Sequence, residues 1–265
     1  MLSSKQKNVE NPASLTRKIS VFVRERTFPE LVREIWHNGL PLFRRLVGLY
    51  FDKKFDRQYN VDTCGSIHLH ELTVERNNVE SCSIYDPIPA RTLRNLFSYL
   101  PEALKEYNFI DFGFGKGRAL LVAAEYPFRK IIGVEFAREL NETALQNISK
   151  YSNPKQKCFD ISSICIDATK FEIPLGKCIF FFFVPFGADI FSEVLENINK
   201  SYTQHPREML ILYVTDPVTH PFPYDKIIEN CGLFSKIAEG YFPFEISQRD
   251  NLYYEVYQTI NANLK

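Results

Sequence analysis

Phe109-Ile110-Asp111-Phe112-Gly113-Phe114-Gly115-Lys116-Gly117-Arg118 is an apolar run that passes through three alternating glycines into a helical segment. Glycine lets a backbone turn tightly and approach a ligand, and the helix that follows presents free N–H donors. A ligand-binding turn is therefore expected there, with a purely structural turn as the alternative. The spacing is GxGxG, unlike the GxGxxG of dinucleotide binders, and an acid, Asp111, comes two residues before the first glycine. A carboxylate at that place repels a pyrophosphate and attracts a cationic ligand.

Outward from this turn the sequence alternates short apolar runs with helical segments, the pattern of a parallel sheet with crossover helices. Strands are expected at 108–112, 130–135, 163–167, 177–184 and 209–215, with helices at 117–125, 138–151, 189–200 and 224–231. The last two runs, 234–241 and 252–260, have only a loop between them and read as an antiparallel pair. Upstream, 29–36 and 40–59 read as amphipathic helices, 61–85 as a short hairpin or irregular connector, and 91–104 as a helix after Pro87 and Pro89. The fold class is α/β: a mostly parallel seven-stranded Rossmann-like sheet with helices on both faces and a C-terminal antiparallel hairpin. Residues 1–84 are expected to form a helical and hairpin extension that caps the cleft or recognises the substrate, and 85–265 the main domain.

Two further acids stand at expected strand ends. Glu135, followed by Phe136 and lying twenty-two residues after Gly113, is placed to accept both hydroxyls of a ribose, or is an exposed strand-end acid. Asp167, followed by Ala168, is placed to receive an adenine amino group, or is a helix cap or turn acid. Ligands of open α/β sheets sit at the carboxyl ends of the strands, so the three acids are expected to line one crevice.

The glycine turn, Glu135, Asp167-Ala168 and Phe180-Phe181-Phe182-Phe183-Val184-Pro185-Phe186-Gly187 together resemble the class I, seven-stranded methyltransferases that use S-adenosylmethionine (SAM). The resemblance spans 85–260. It implies SAM as cofactor, with Asp111, Gly113, Gly115 and Gly117 facing its methionine part, Glu135 and Phe136 its ribose, and Asp167 and Ala168 its adenine. Val184 and Pro185 fall in the loop beside the transferred methyl. Amine-directed members often carry Asp or Asn where this chain has Val184, so a side chain able to orient a planar amine is missing. Tyr85-Asp86-Pro87 resembles the Tyr-x-Pro segment of some protein-lysine methyltransferases, which makes Tyr85 a candidate gate or positioning hydroxyl; a turn tyrosine packed under the helix is the alternative.

The resemblance implies a methyltransferase acting on an unidentified acceptor, with a protein side chain favoured over a small molecule or RNA. A SAM-binding scaffold without catalysis and an NAD- or nucleotide-binding Rossmann protein are the alternatives. The chain of 265 residues is 45% hydrophobic and 24% charged with zero formal net charge, ordinary for a soluble globular protein. Arg17 to Arg57 carries a local excess of five positive charges, read as a solvated face. The six cysteines and five histidines show no metal-ligand spacing, so no metal site is expected. Cys165 and Cys178 are expected to be buried in strands. The N-terminus lacks an apolar signal core and no apolar run is long enough to span a membrane, which points to the cytoplasm; oligomeric state is not legible.

Overall fold

The computed structural model describes residues 40–67, 85–218, 224–243 and 251–260. The helix expected at 29–36, most of the 61–85 connector, and His37, His68, His70 and His220 lie outside the described residues. The chain divides into two compact units, Met1–Leu46 and Val47–Lys265, and the second holds the whole sheet. Helix α1 (Leu40–Tyr59) runs across that division. Ile67 and Tyr85 form one antiparallel bridge, the part of the expected hairpin that falls among the described residues.

Helix α2 (Ala90–Leu96) ends earlier than its apolar stripe suggests and passes into a 3-10 turn at Phe97–Tyr99. Leu100 is extended, with φ −79° and ψ 154°, because it precedes Pro101, whose ring disfavours the helical region for its neighbour. The sheet domain then runs β1 (Tyr107–Phe112), α3 (Arg118–Ala123), β2 (Lys130–Glu135), α4 (Arg138–Lys150), β3 (Ile161–Cys165), β4 (Lys177–Phe183), α5 (Ala188–Gln204), β5 (Met209–Thr215), α6 (Tyr224–Asn230), β6 (Phe234–Tyr241) and β7 (Tyr253–Thr259).

The seven strands are ordered β3-β2-β1-β4-β5-β7-β6. β1 pairs in parallel with β2 and β4, β2 with β3, and β4 with β5, whereas β7 lies antiparallel between β5 and β6. This is the architecture implied by the resemblance to the seven-stranded class I fold. Chain order reverses between β1 and β4, which opens a crevice beyond their carboxyl ends.

The central strands are buried on both faces, so they read as continuous apolar runs. On one face Phe109 and Phe181 pack with Leu93, Leu96 and Leu121; on the other, Phe112, Phe180 and Phe182 pack with Phe191 and Ile198. Phe112 and Phe182 stack at 5.1 Å, almost parallel at 6°. Burying each such ring contributes roughly 1.5–3 kcal/mol, which holds β1 and β4 rigidly beneath the crevice. The outermost β3 is only half-buried, so Cys165 is exposed rather than packed as expected. Cys178 is buried, and burial pushes its thiol up to about 11. No helix among the described residues is long and apolar enough to cross a membrane.

Gly133 on β2 decides where the glycine turn sits. A Cβ there would stand 2.4 Å from the ring of Phe114 and 2.7 Å from Leu120, so the missing side chain makes the socket that anchors Phe114. Gly133→Ala is expected to overpack that socket and destabilise the fold by about 1–3 kcal/mol. Urea unfolding measures this, and an unchanged midpoint would contradict the anchoring.

Candidate active site

The glycine turn is built from left-handed backbone. Gly113, Gly115 and Gly117 have φ of 74°, 58° and 88°, a region that side chains other than glycine enter at a cost. Their amides are all spent inside the protein: Gly113 donates to the Val134 carbonyl at 2.8 Å, Gly115 to Glu135 Oε2 at 3.0 Å and Gly117 to the Phe114 carbonyl at 2.9 Å. The three glycines themselves therefore leave no free N–H donor. A phosphate has no glycine donor to bind here.

Glu135 is buried at the end of β2 and also accepts the amides of Phe136 and Ala137 on Oε1, both at 3.0 Å. Three of the roughly four lone-pair positions of a carboxylate are thus filled. One remains open for a further donor. Burial raises its pKa, and the amides from Ala137, Gly115 and Phe136 oppose that rise.

Asp111 is 3% exposed, and its Oδ2 has no hydrogen-bond partner among the described residues. Its pKa is raised well above the ordinary carboxylate value, chiefly by burial and then by the neighbouring charge of Glu135. Two buried acids with raised pKa values side by side in a crevice are the electrostatic mark of a functional site.

Around them runs a cleft at the carboxyl ends of β1, β2 and β4. Of the residues singled out in the sequence, Tyr85, Asp111, Gly113, Gly115, Glu135, Phe136, Ala168, Val184 and Pro185 all line it. Gly117 and Asp167 are not among its lining residues. Gly117 lies beneath the turn, where a Cβ would come within 3.2 Å of Ala144 on α4. Asp167 lies beyond the end of β3, because that strand stops at Cys165. Its Oδ1 accepts from the Thr169 amide at 3.0 Å and the Thr169 hydroxyl at 2.8 Å, capping the 3-10 turn at Ala168–Lys170. The turn-acid alternative describes that oxygen, while Ile166 and Ala168 on either side reach the cleft.

The loop after β4 forms the opposite wall. Pro185 occupies the space over Gly113, where a Cβ would fall 2.4 Å from its own Cβ. Val184 has φ 41°, doubly strained because it is β-branched and precedes proline. Such a conformation costs on the order of 1–3 kcal/mol and is typical of functional loops. The Phe186 carbonyl accepts from the Tyr224 hydroxyl at 2.8 Å, so it is already engaged.

A third wall comes from Tyr85, the candidate gate, held by contacts that the sequence did not reveal. The ring of Tyr85 lies over Gly115, 2.1 Å from where a Cβ would be, and its hydroxyl donates to the Thr63 carbonyl at 2.7 Å. Arg118, 2% exposed, pairs with Asp52 and lies 3.6 Å from Asp56. Lys116 donates to Asp62 Oδ1 and the Cys64 carbonyl, both at 3.0 Å. Both cations of the turn are thus matched by acids of α1 and the segment after it. Cys64 is no reactive thiol, since burial pushes it up to about 12. The one sequence hint to Arg118 is a cation in the first turn of a helix, where the dipole opposes it. Among the described residues no group of side chains has the makings of a metal site.

No protein-family model and no curated protein matches the chain. Among solved structures, a putative methylase from Haemophilus influenzae is 14% identical, with 74% of this chain and 99% of that one covered at a TM-score of 0.45. A putative methyltransferase from Escherichia coli is 18% identical over 65% of this chain and 90% of that one, also at 0.45. TrmK of M. capricolum, in complex with S-adenosyl-homocysteine, is 11% identical over 64% and 67% at 0.43. The chemistry of the cleft rests on its own side chains.

Because the folded-state pKa of Asp111 is raised, the folded protein keeps a proton there that the unfolded chain releases. Stability from this group is full in acid and is lost as pH rises from the ordinary carboxylate range through the raised value. Asp111→Asn removes the buried charge, so the ligand-free variant is expected to be more stable than the parent by about 1–3 kcal/mol at alkaline pH, with the gap closing in acid. Melting curves across pH read this directly; a gap that does not depend on pH would contradict the role of burial.

Proposed function

We propose that this chain is a SAM-dependent methyltransferase, with Asp111, Gly113, Gly115, Glu135, Phe136 and Ala168 around the cofactor, Gly117 shaping the turn from beneath, and Tyr85, Val184 and Pro185 beside the acceptor. The observation that carries this reading is the buried Asp111, whose Oδ2 has no partner among the described residues, beside a turn whose glycine amides are already spent. Among the described residues the only lining cation, Arg118, is matched by Asp52 and Asp56. Such a cleft suits a ligand that brings positive charge and repels polyphosphate. SAM carries an ammonium and a sulfonium, and it fits.

When bound, SAM supplies a methyl group already activated by its positive sulfur. The chain does the rest by alignment and exclusion of water. Asp111 holds the ammonium, and Glu135 accepts one ribose hydroxyl on its remaining lone pair. The half-buried adenine end of the cleft is walled by Phe136, Ile166 and Ala168. Phe183, Pro185 and Phe186 give the acceptor side an apolar wall. The hydroxyl of Tyr85 is committed to Thr63, so Tyr85 acts as a gate through its ring.

The acceptor we favour is a protein side chain. The exposed Asp86 at the cleft and the pairing of Arg118 and Lys116 leave little positive field for a nucleic-acid backbone. Residues 1–84 would select that acceptor, since elements grafted on a shared fold define function. The free cysteines among the described residues accord with a reducing, cytoplasmic setting.

Transfer of a tritiated methyl from SAM into cell extract, fractionated into protein, RNA and small molecules, tests the reading. Label is expected in protein, falling about 100-fold for Asp111→Ala because a buried charge partner is lost. Label in RNA would overturn the protein acceptor, and SAM binding with no label in any fraction would make the chain a scaffold.

A further inference from the structure

The guanidinium of Arg118, the first residue of α3, is enclosed by residues from α1 and the segment after it. It pairs with Asp52, approaches Asp56 at 3.6 Å and the Cys64 sulfur at 3.4 Å, and donates from Nε to Thr63 Oγ1 at 2.8 Å. The ring of Phe55 lies 5.4 Å beneath it. Thr63, 0% exposed, is held on its other side by Asp56, which accepts the Thr63 amide at 2.8 Å and its hydroxyl at 2.5 Å. The Thr63 carbonyl then receives the Tyr85 hydroxyl at 2.7 Å, and the ring of Tyr85 rests on Gly115 inside the cleft. A continuous line of polar contacts therefore runs from the acids of α1 to the wall of the cleft.

A cation at this place is a poor choice for stability alone. It opposes the dipole of α3, and a buried ion pair is often no better than apolar residues of the same volume. What arginine adds is direction: a planar fork of five donors fixes several acceptors at once, which lysine cannot do. Here that fork reaches two carboxylates on α1 and a sulfur and a hydroxyl on the segment after it.

We infer that Arg118 is a positioning residue for cofactor binding: through Thr63 it fixes the Tyr85 ring against Gly115 and so sets the shape of the cleft over the glycine turn. This rests on the SAM reading of the cleft. Arg118 borders the cleft, but its guanidinium is turned to Thr63, Asp52, Asp56 and Cys64, and Tyr85 is the group that it delivers to the ligand.

Calorimetric titration with S-adenosyl-homocysteine, paired with melting temperature, separates positioning from stability. Thr63→Val removes the hydroxyl between Arg118 and Asp56, and Tyr85→Phe removes the link to the Thr63 carbonyl. Each is expected to raise the Kd for S-adenosyl-homocysteine about five- to tenfold. Thr63→Ser, which keeps the hydroxyl, should restore parental affinity, and Arg118→Lys, which keeps the charge without the fork, should not. The double variant Thr63→Val with Tyr85→Phe should bind no more weakly than about the worse single variant, because both break one line of contacts. Folded Thr63→Val and Tyr85→Phe proteins that bind with parental affinity, with only the melting temperature lowered, would overturn the inference while leaving the cofactor reading intact. A parent protein that binds no S-adenosyl-homocysteine would remove the reading and the inference together.

Discussion

One oxygen of the Asp111 carboxyl group, Oδ2, has no hydrogen-bond partner among the described residues, and the rest of the cleft is arranged around it at the heart of a mostly parallel sheet. Asp111 lies on β1 with Gly133 on one neighbouring strand and Phe181 on the other, so neither of these supplies a side-chain donor. The second acid, Glu135, adds repulsion rather than relief. A buried charge left in this state costs free energy that a folded protein ordinarily avoids. The arrangement makes sense when the missing partner is a ligand of opposite charge.

The surrounding backbone is consistent with that view. A turn that binds phosphate leaves its amides open, yet here those of the three glycines close on Val134, Glu135 and Phe114. The cations that follow Asp111 in sequence, Lys116 and Arg118, are drawn away to Asp62, Asp52 and Asp56. Negative potential is thereby concentrated at the carboxyl end of β1 and positive potential is cancelled. On the far wall, the strained Val184 and the close contact of Pro185 with Gly113 hold the post-β4 loop against the same turn.

Much of this was legible in the residues. The bounds of β2, β5 and β6 follow from apolar runs that are continuous and sharply flanked, and the glycine turn with Asp111 and Glu135 announces the crevice. Other features needed three dimensions. β3 reads two residues too late because an edge strand is only half-buried, and for the same reason Cys165 looks like a core thiol and Asp167 like a strand-end ligand. Helix α2 stops before its apolar stripe does, since Leu100 precedes a proline. The partners of Arg118 lie as far as 66 residues upstream in segments with no motif, so no spacing rule finds them. The engagement of the Gly115 amide is equally invisible, because it depends on where the Glu135 carboxylate points.

Selection of positive charge through Asp111 is the property on which the cleft's function turns. Titrating the protein with S-adenosyl-homocysteine and with NAD across a pH series tests it most directly. S-adenosyl-homocysteine is expected to bind, more tightly as pH rises through the elevated Asp111 range, and NAD to give no heat. Binding of NAD in preference, or an affinity for S-adenosyl-homocysteine that ignores both pH and Asp111→Asn, would contradict it.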